Sequence, residues 1–147
     1  METSPICTIM SSPVITVGPD MILGQVRRLM HAHHIRHLPV VDQGHLVGIL
    51  TLRDLWGMWS DEAPTPHHDP TMGHLDDVRV AAVMCHDVVT VEADRPLAEA
   101  ARLMLTHQMS GLPVVADGNL VGIVTERDIC RSITNGDVSP MAVSLPV

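Results

Sequence analysis

The chain has 147 residues, 46% of them hydrophobic, and a formal net charge of −8. All nine basic residues are arginine, and Trp56 and Trp59 stand alone in a chain with no Phe and no Tyr. That length suits one compact domain or two small ones sharing a core. The absence of lysine excludes Schiff-base chemistry and a P-loop, and the acidic balance argues against a nucleic-acid surface, which demands a basic stripe. No apolar run approaches the roughly 20 residues of a membrane span. The opening METSPICTIM lacks the basic n-region and apolar h-region of a secretion signal, and Cys7, Cys85 and Cys130 are odd in number and lack CxxC spacing. A reduced cytoplasmic setting is therefore expected.

In chain order, Val14–Val17 reads as a short strand. Asp20 follows as a helix N-cap, because a carboxylate there can accept from exposed N–H groups. The helix runs to about His34, with Leu23, Val26, Met30 and His33 near one face. Strands at Leu38–Val41 and Leu46–Leu50 are joined by a tight DQG turn, and a second helix starts near Arg53. The stretch Ser60–Asp77, SDEAPTPHHDPTMGHLDD, has no apolar periodicity and reads as a linker. Then the pattern returns. Ile9–Asp54 aligns with Val83–Asp128 without a gap, and about half of the positions are identical. The second copy has a strand at Val88–Val91, an N-cap at Asp94, and a helix carrying Leu97, Ala100, Met104 and His107. Strands at Leu112–Val115 and Leu120–Val124 flank an Asp-Gly turn, which favours a hairpin, and a helix starts near Arg127. The order is β-α-β-β-α, twice: an α/β (α+β) chain of two pseudo-symmetric motifs. The expected boundaries are 6–60 and 79–135 for the motifs, 61–78 for the linker and 136–147 for an irregular tail. Each copy is too small to be comfortable alone, so the two should bury a joint apolar face.

The most specific local signal is the repeated Gly-Ile-apolar-Thr-x-Arg-Asp at Gly48–Asp54 and Gly122–Asp128. The plain reading is a capping box, with Thr at the N-cap and a carboxylate at N3. The functional reading uses the same geometry: a helix N-terminus attracts phosphate, and a carboxylate beside it can accept from a ribose diol. Arg53 and Arg127, one before each Asp, add guanidinium groups able to grip phosphate.

With these residues named, both copies resemble CBS domains, the cystathionine-β-synthase motif that occurs in tandem pairs called Bateman modules. The resemblance rests on the M-x-x-x-V-x-T-V opening, the L-P-V-V and L-V-G-I strands and the T-x-R-D helix start. It covers nearly the whole chain outside the linker and tail. It implies a pair packed as one module with two clefts for adenosine-containing ligands: AMP, ADP, ATP or S-adenosylmethionine. It further implies that Thr51 and Asp54 share one cleft with Ser110, Gly111 and Leu112, and that Thr125 and Asp128 share the other with Arg36, His37 and Leu38. On that crossing, the Asp128 cleft should bind the more highly charged nucleotide. The resemblance also implies a homodimer of pairs, with the second helices as the dimer face and Trp56 and Trp59 as an anchor. A non-catalytic sensor acting in trans on an unidentified protein target follows, and no cofactor is required.

The remaining residues suggest alternatives. His33 and His107 occupy matched positions late in the first helices, where packing or local capping is the expected role. His37 is a candidate nucleotide contact. His33 and His37 have HxxxH spacing, but the helix should end between them, which spoils a zinc face. The linker's His67, His68, Asp69, His74, Asp76 and Asp77 could ligate metal only if the loop folds back, so no metal site is assigned. A zinc-binding or purely structural stress protein without nucleotide binding is the competing reading. Cys130, which aligns with Trp56, is expected to be packed and Cys85 exposed; Met30, Met104 and Met109 are expected as core fillers. No Ser-His-Asp spacing, glycine-rich phosphate loop or carboxylate pair supports an enzyme.

Overall fold

A computed structural model describes residues 4–57 and 77–135. The linker histidines, Trp59 and the tail lie outside the described residues, as does the side chain of Trp56. The chain divides into two compact units. The first is Ile15–Val88, and the second is Met1–Val14 with Val89–Val147.

In the first unit, helix α1 (Leu23–His33) precedes strands β1 (His37–Asp42) and β2 (His45–Thr51) and helix α2 (Leu52–Gly57). Strands β1 and β2 pair antiparallel from His37 opposite Thr51 to Asp42 opposite His45, with a register shift between Val40 and Val41. The connecting turn places Gln43 and Gly44 at φ 49° and 82°, both left-handed, which matches the twist of a two-residue hairpin. Leu23, Val26 and Met30 of α1 pack with Leu38, Val40, Leu50 and Leu55 in one core. The expected strand at Val14–Val17 reduces to one parallel bridge, Val17 to Val40.

The second unit repeats the plan. Strand β3 (Val91–Glu92) is parallel to β4 (Gly111–Ala116), β4 is antiparallel to β5 (Asn119–Thr125), and helices α3 (Leu97–His107) and α4 (Glu126–Thr134) complete it. Its turn uses Asp117 and Gly118 at φ 52° and 80°. Leu97, Ala100, Met104, Leu112, Val114, Val124 and Ile129 form its core.

The units do not follow the two sequence copies. The segment that opens the first copy belongs to the second unit. Ile6 N–H donates to Arg95 O at 2.9 Å, Leu97 N–H to Ser4 O at 3.1 Å, and Ser11 exchanges two backbone hydrogen bonds with Ile123. Reciprocally, the segment that opens the second copy belongs to the first unit: Val80 N–H donates to Met21 O at 2.8 Å, and Cys85 exchanges two bonds with Ile49. Ile6 and Val80, in short 3₁₀ turns at Ile6–Thr8 and Val80–Ala82, are fully buried in these exchanged positions.

This exchange corrects the expected helix starts. Asp20 and Asp94 are not N-caps; Ile22 and Pro96 hold those positions in extended conformation, without a side-chain cap bond. Ile22 bridges Arg79 and Pro96 bridges Pro5, so these two residues are held extended and each helix begins just after them. Gln25 Oε1 accepts from Ile22 N–H at 3.3 Å instead, and Asp20 faces Arg79 at 3.6 Å. Among the described residues no helix is long and apolar enough to cross a membrane.

Candidate functional site

The end of each hairpin passes directly into a helix through Thr-x-x-Asp, and the geometry is nearly the same in both units. In the first, Thr51 N–H donates to Asp54 Oδ2 at 2.8 Å, and Asp54 N–H donates to Thr51 Oγ1 at 3.3 Å. In the second, Thr125 N–H donates to Asp128 Oδ2 at 2.9 Å, and Asp128 N–H donates to Thr125 Oγ1 at 3.3 Å. These are reciprocal capping boxes, which satisfy two stray donors at each helix start. In both, a single carboxylate oxygen serves as the acceptor. The other oxygen, Oδ1, has no hydrogen-bond partner among the described residues. An ionised carboxylate has about four acceptor sites, so the capping role leaves room for a ligand hydroxyl.

The two ends differ in detail. The Thr125 hydroxyl also donates to Asp128 Oδ2, at 3.1 Å, and Asp128 is only 8% exposed. Asp54 is half-buried.

The hairpin brings further expected residues to each end. His37 is the register partner of Thr51, and Leu52 N–H donates to Arg36 O at 2.9 Å. The Thr51–Asp54 end of the first unit therefore gathers Arg36, His37, Arg53 and the buried Leu38. Gly111 is the register partner of Thr125, and Glu126 N–H donates to Ser110 O at 2.9 Å. The Thr125–Asp128 end of the second unit therefore gathers Ser110, Gly111, Arg127 and the buried Leu112. The crossed sets implied by the resemblance join residues of different units; within each unit, the assembled set is the uncrossed one. Arg36, Arg53, Arg127 and Ser110 are exposed, and His37 is half-buried.

Glu126 joins the Thr125–Asp128 end as a residue not expected from the motif. It is an exposed carboxylate in the first turn of α4, at the position that Leu52 holds in α2. The alignment of the two copies carried that signal, since the motif's x position is Leu in one and Glu in the other.

Other expected residues fall elsewhere. His33 and His107 are exposed in the last turn of their helices and do not pack. Each helix closes on a left-handed residue, His34 at φ 53° or Gln108 at φ 54°, which turns the chain away just after them. Cys130 is exposed, not packed, because Ile129 takes the buried face of α4; Cys7 and Cys85 are exposed as well. Met30 and Met104 are buried in the cores and Met109 packs against one of them. Among the described residues, no three His, Cys, Asp or Glu side chains come together as a metal site.

The family model described as "CBS domain" matches residues 6–55 and 80–135. The CBS domain-containing protein YhcV of Bacillus subtilis is 33% identical over 120 residues, covering 82% of this chain and 79% of that protein. An inosine-5'-monophosphate dehydrogenase of Methanocaldococcus jannaschii is 38% identical over 120 residues, but the match spans only 21% of the dehydrogenase. Among solved structures, the CBS domain pair of protein MJ0100, in complex with 5'-methylthioadenosine and S-adenosyl-L-methionine, has a TM-score of 0.77 at 29% identity. That likeness covers 91% of this chain and 98% of the other.

Proposed function

The chain belongs to the CBS domain family as a tandem pair, and from that premise we propose that it is a non-catalytic module that binds adenosine-containing ligands at its two Thr-x-x-Asp ends. The candidate ligands are AMP, ADP, ATP and S-adenosylmethionine. The observation that carries the reading is the leftover Oδ1 of Asp54 and of Asp128, each beside a helix start and each suited to accept from a ribose diol. The complex of the related MJ0100 pair with two adenosine compounds supports the ligand class. Thr51, Arg53, Thr125 and Arg127 are assigned to the ligand's phosphate or tail. Arg36, His37 and Leu38 border the Thr51–Asp54 end, and Ser110, Gly111 and Leu112 border the Thr125–Asp128 end. The module works as a homodimer in the cytoplasm and signals ligand occupancy to a protein partner in trans.

A thermal-shift panel with the four ligands tests this. A ligand present at about 100 times its Kd stabilises by roughly 2.7 kcal/mol, a rise of several degrees for a chain of this size. The rise should shrink in Asp54→Ala or Asp128→Ala. A flat response to all four ligands would remove the reading.

A further inference from the structure

We propose that the two ends select ligands of different charge. The Thr51–Asp54 end takes a phosphorylated adenosine compound, and the Thr125–Asp128 end takes one without phosphate, either neutral or cationic. The inference rests on the adenosine reading above and adds which class goes where.

The geometry makes the two ends comparable position by position. Arg36 and Ser110 each give their carbonyl to the first helical N–H, at 2.9 Å in both units, so the two side chains start from equivalent places. His37 and Gly111 are the register partners of Thr51 and Thr125. Side chains of register partners stand on the same face of a hairpin. Thr51 thus has an imidazole beside it, and Thr125 has only a glycine backbone. Leu52 and Glu126 open the two helices.

The charges then diverge. With His37 counted as neutral, the first end holds the guanidinium groups of Arg36 and Arg53 against the carboxylate of Asp54. The second holds the guanidinium of Arg127 against the carboxylates of Glu126 and Asp128. A di- or triphosphate is attracted to the first balance and repelled by the second; a sulfonium or an uncharged tail suits the second. The hydroxyls point the same way. Thr125 spends its proton on Asp128 Oδ2, and among the described residues Thr51 makes no such bond. The Thr51 proton is available to a phosphate oxygen. Placing Arg36 and His37 at the Thr51 end reverses the expectation, drawn from the crossed arrangement, that the Asp128 end takes the more charged nucleotide.

The test is calorimetric titration of the full chain with ATP and, separately, with adenosine. Arg36 and Glu126 are exposed, so Arg36→Ser and Glu126→Gln leave the cores untouched. Arg36→Ser should weaken ATP about tenfold and adenosine less than about twofold, because it removes a contact to phosphate alone. Glu126→Gln with Ser110→Arg should raise ATP uptake at the second end by about the same factor. Added salt should weaken ATP in the natural protein and do so less in Arg36→Ser. Equal losses of ATP and adenosine in Arg36→Ser, or ATP binding blind to Glu126→Gln with Ser110→Arg, would overturn the charge assignment while leaving the adenosine reading intact. A natural protein that binds neither compound would overturn both.

Discussion

A Cβ built on Gly122 would stand 2.5 Å from Met10 Sδ and 2.9 Å from the backbone carbonyl of Ser11. The same relation recurs between Gly48 and Met84, at 2.6 Å, with Cys85 O at 3.1 Å. The glycine of each L-V-G-I strand therefore faces the exchanged opening segment, whose methionine lies against the bare backbone. Gly122→Ala should destabilise by about 1–3 kcal/mol through overpacking. Gly48→Ala should cost less, because a flexible thioether is the nearest obstacle at both glycines and the rigid carbonyl is further off at Gly48, 3.1 Å against 2.9 Å. Urea titration of both variants checks the order; a harmless Gly122→Ala would mean that the opening segment is easily displaced.

Ile6 is fully buried in the second unit although it lies far in sequence from the other buried residues of that core, Val91 to Ile129. Ile6→Ala should cost about 2–5 kcal/mol, the usual range for deleting a buried aliphatic side chain. Hydrogen exchange would locate the damage. The amide of Ile123, which donates to Ser11, should lose protection, while that of Ile49, which donates to Cys85, should keep it.

Ser132 is 2% exposed, and its Oγ has no hydrogen-bond partner among the described residues. A buried unpaired hydroxyl costs about 1–3 kcal/mol, and alanine is the better helix former. Ser132→Ala should therefore raise the unfolding midpoint, an unusual direction for a core substitution. A fall would show that the hydroxyl is satisfied in solution.

His34 and Gln108 hold left-handed conformations at the ends of α1 and α3, where glycine is the usual occupant. His34→Gly and Gln108→Gly should each stabilise by up to about 1 kcal/mol, since a non-glycine residue there costs roughly 1–2 kcal/mol. Thermal unfolding of the two single variants and the double would show it, with near-additive gains for sites that share no partner.

The parts legible in the sequence were those whose cause is local. Leu23, Val26 and Met30 announce α1 by their spacing, Asp117-Gly118 announces a hairpin, and Thr125 with Asp128 announces a capping box; the structure shows all three. The helix starts are not legible locally because the restraint is distant: Arg79 holds Ile22 extended, and nothing near Asp20 reveals it. The exchange of the opening segments is hidden for the same reason. Its one trace was a glycine in the middle of each strand, at Gly48 and Gly122, which is a usual sign of close backbone approach. The arrangement of Arg36 and His37 around Thr51 was likewise legible only from strand register, which sets it residue against residue.

The exchanged segments also limit how this chain can be divided. A cut within residues 58–76 would separate two pieces, each holding the other's missing edge: the first keeps Ile6 and Ser11, and the second keeps Val80 and Cys85. Neither piece alone could close its own sheet or fill its own core, yet together they hold every element of both units. The two pieces should behave as mutual templates, poorly soluble apart and regaining order on mixing. Each copy thus carries a part that only the other copy's core can use.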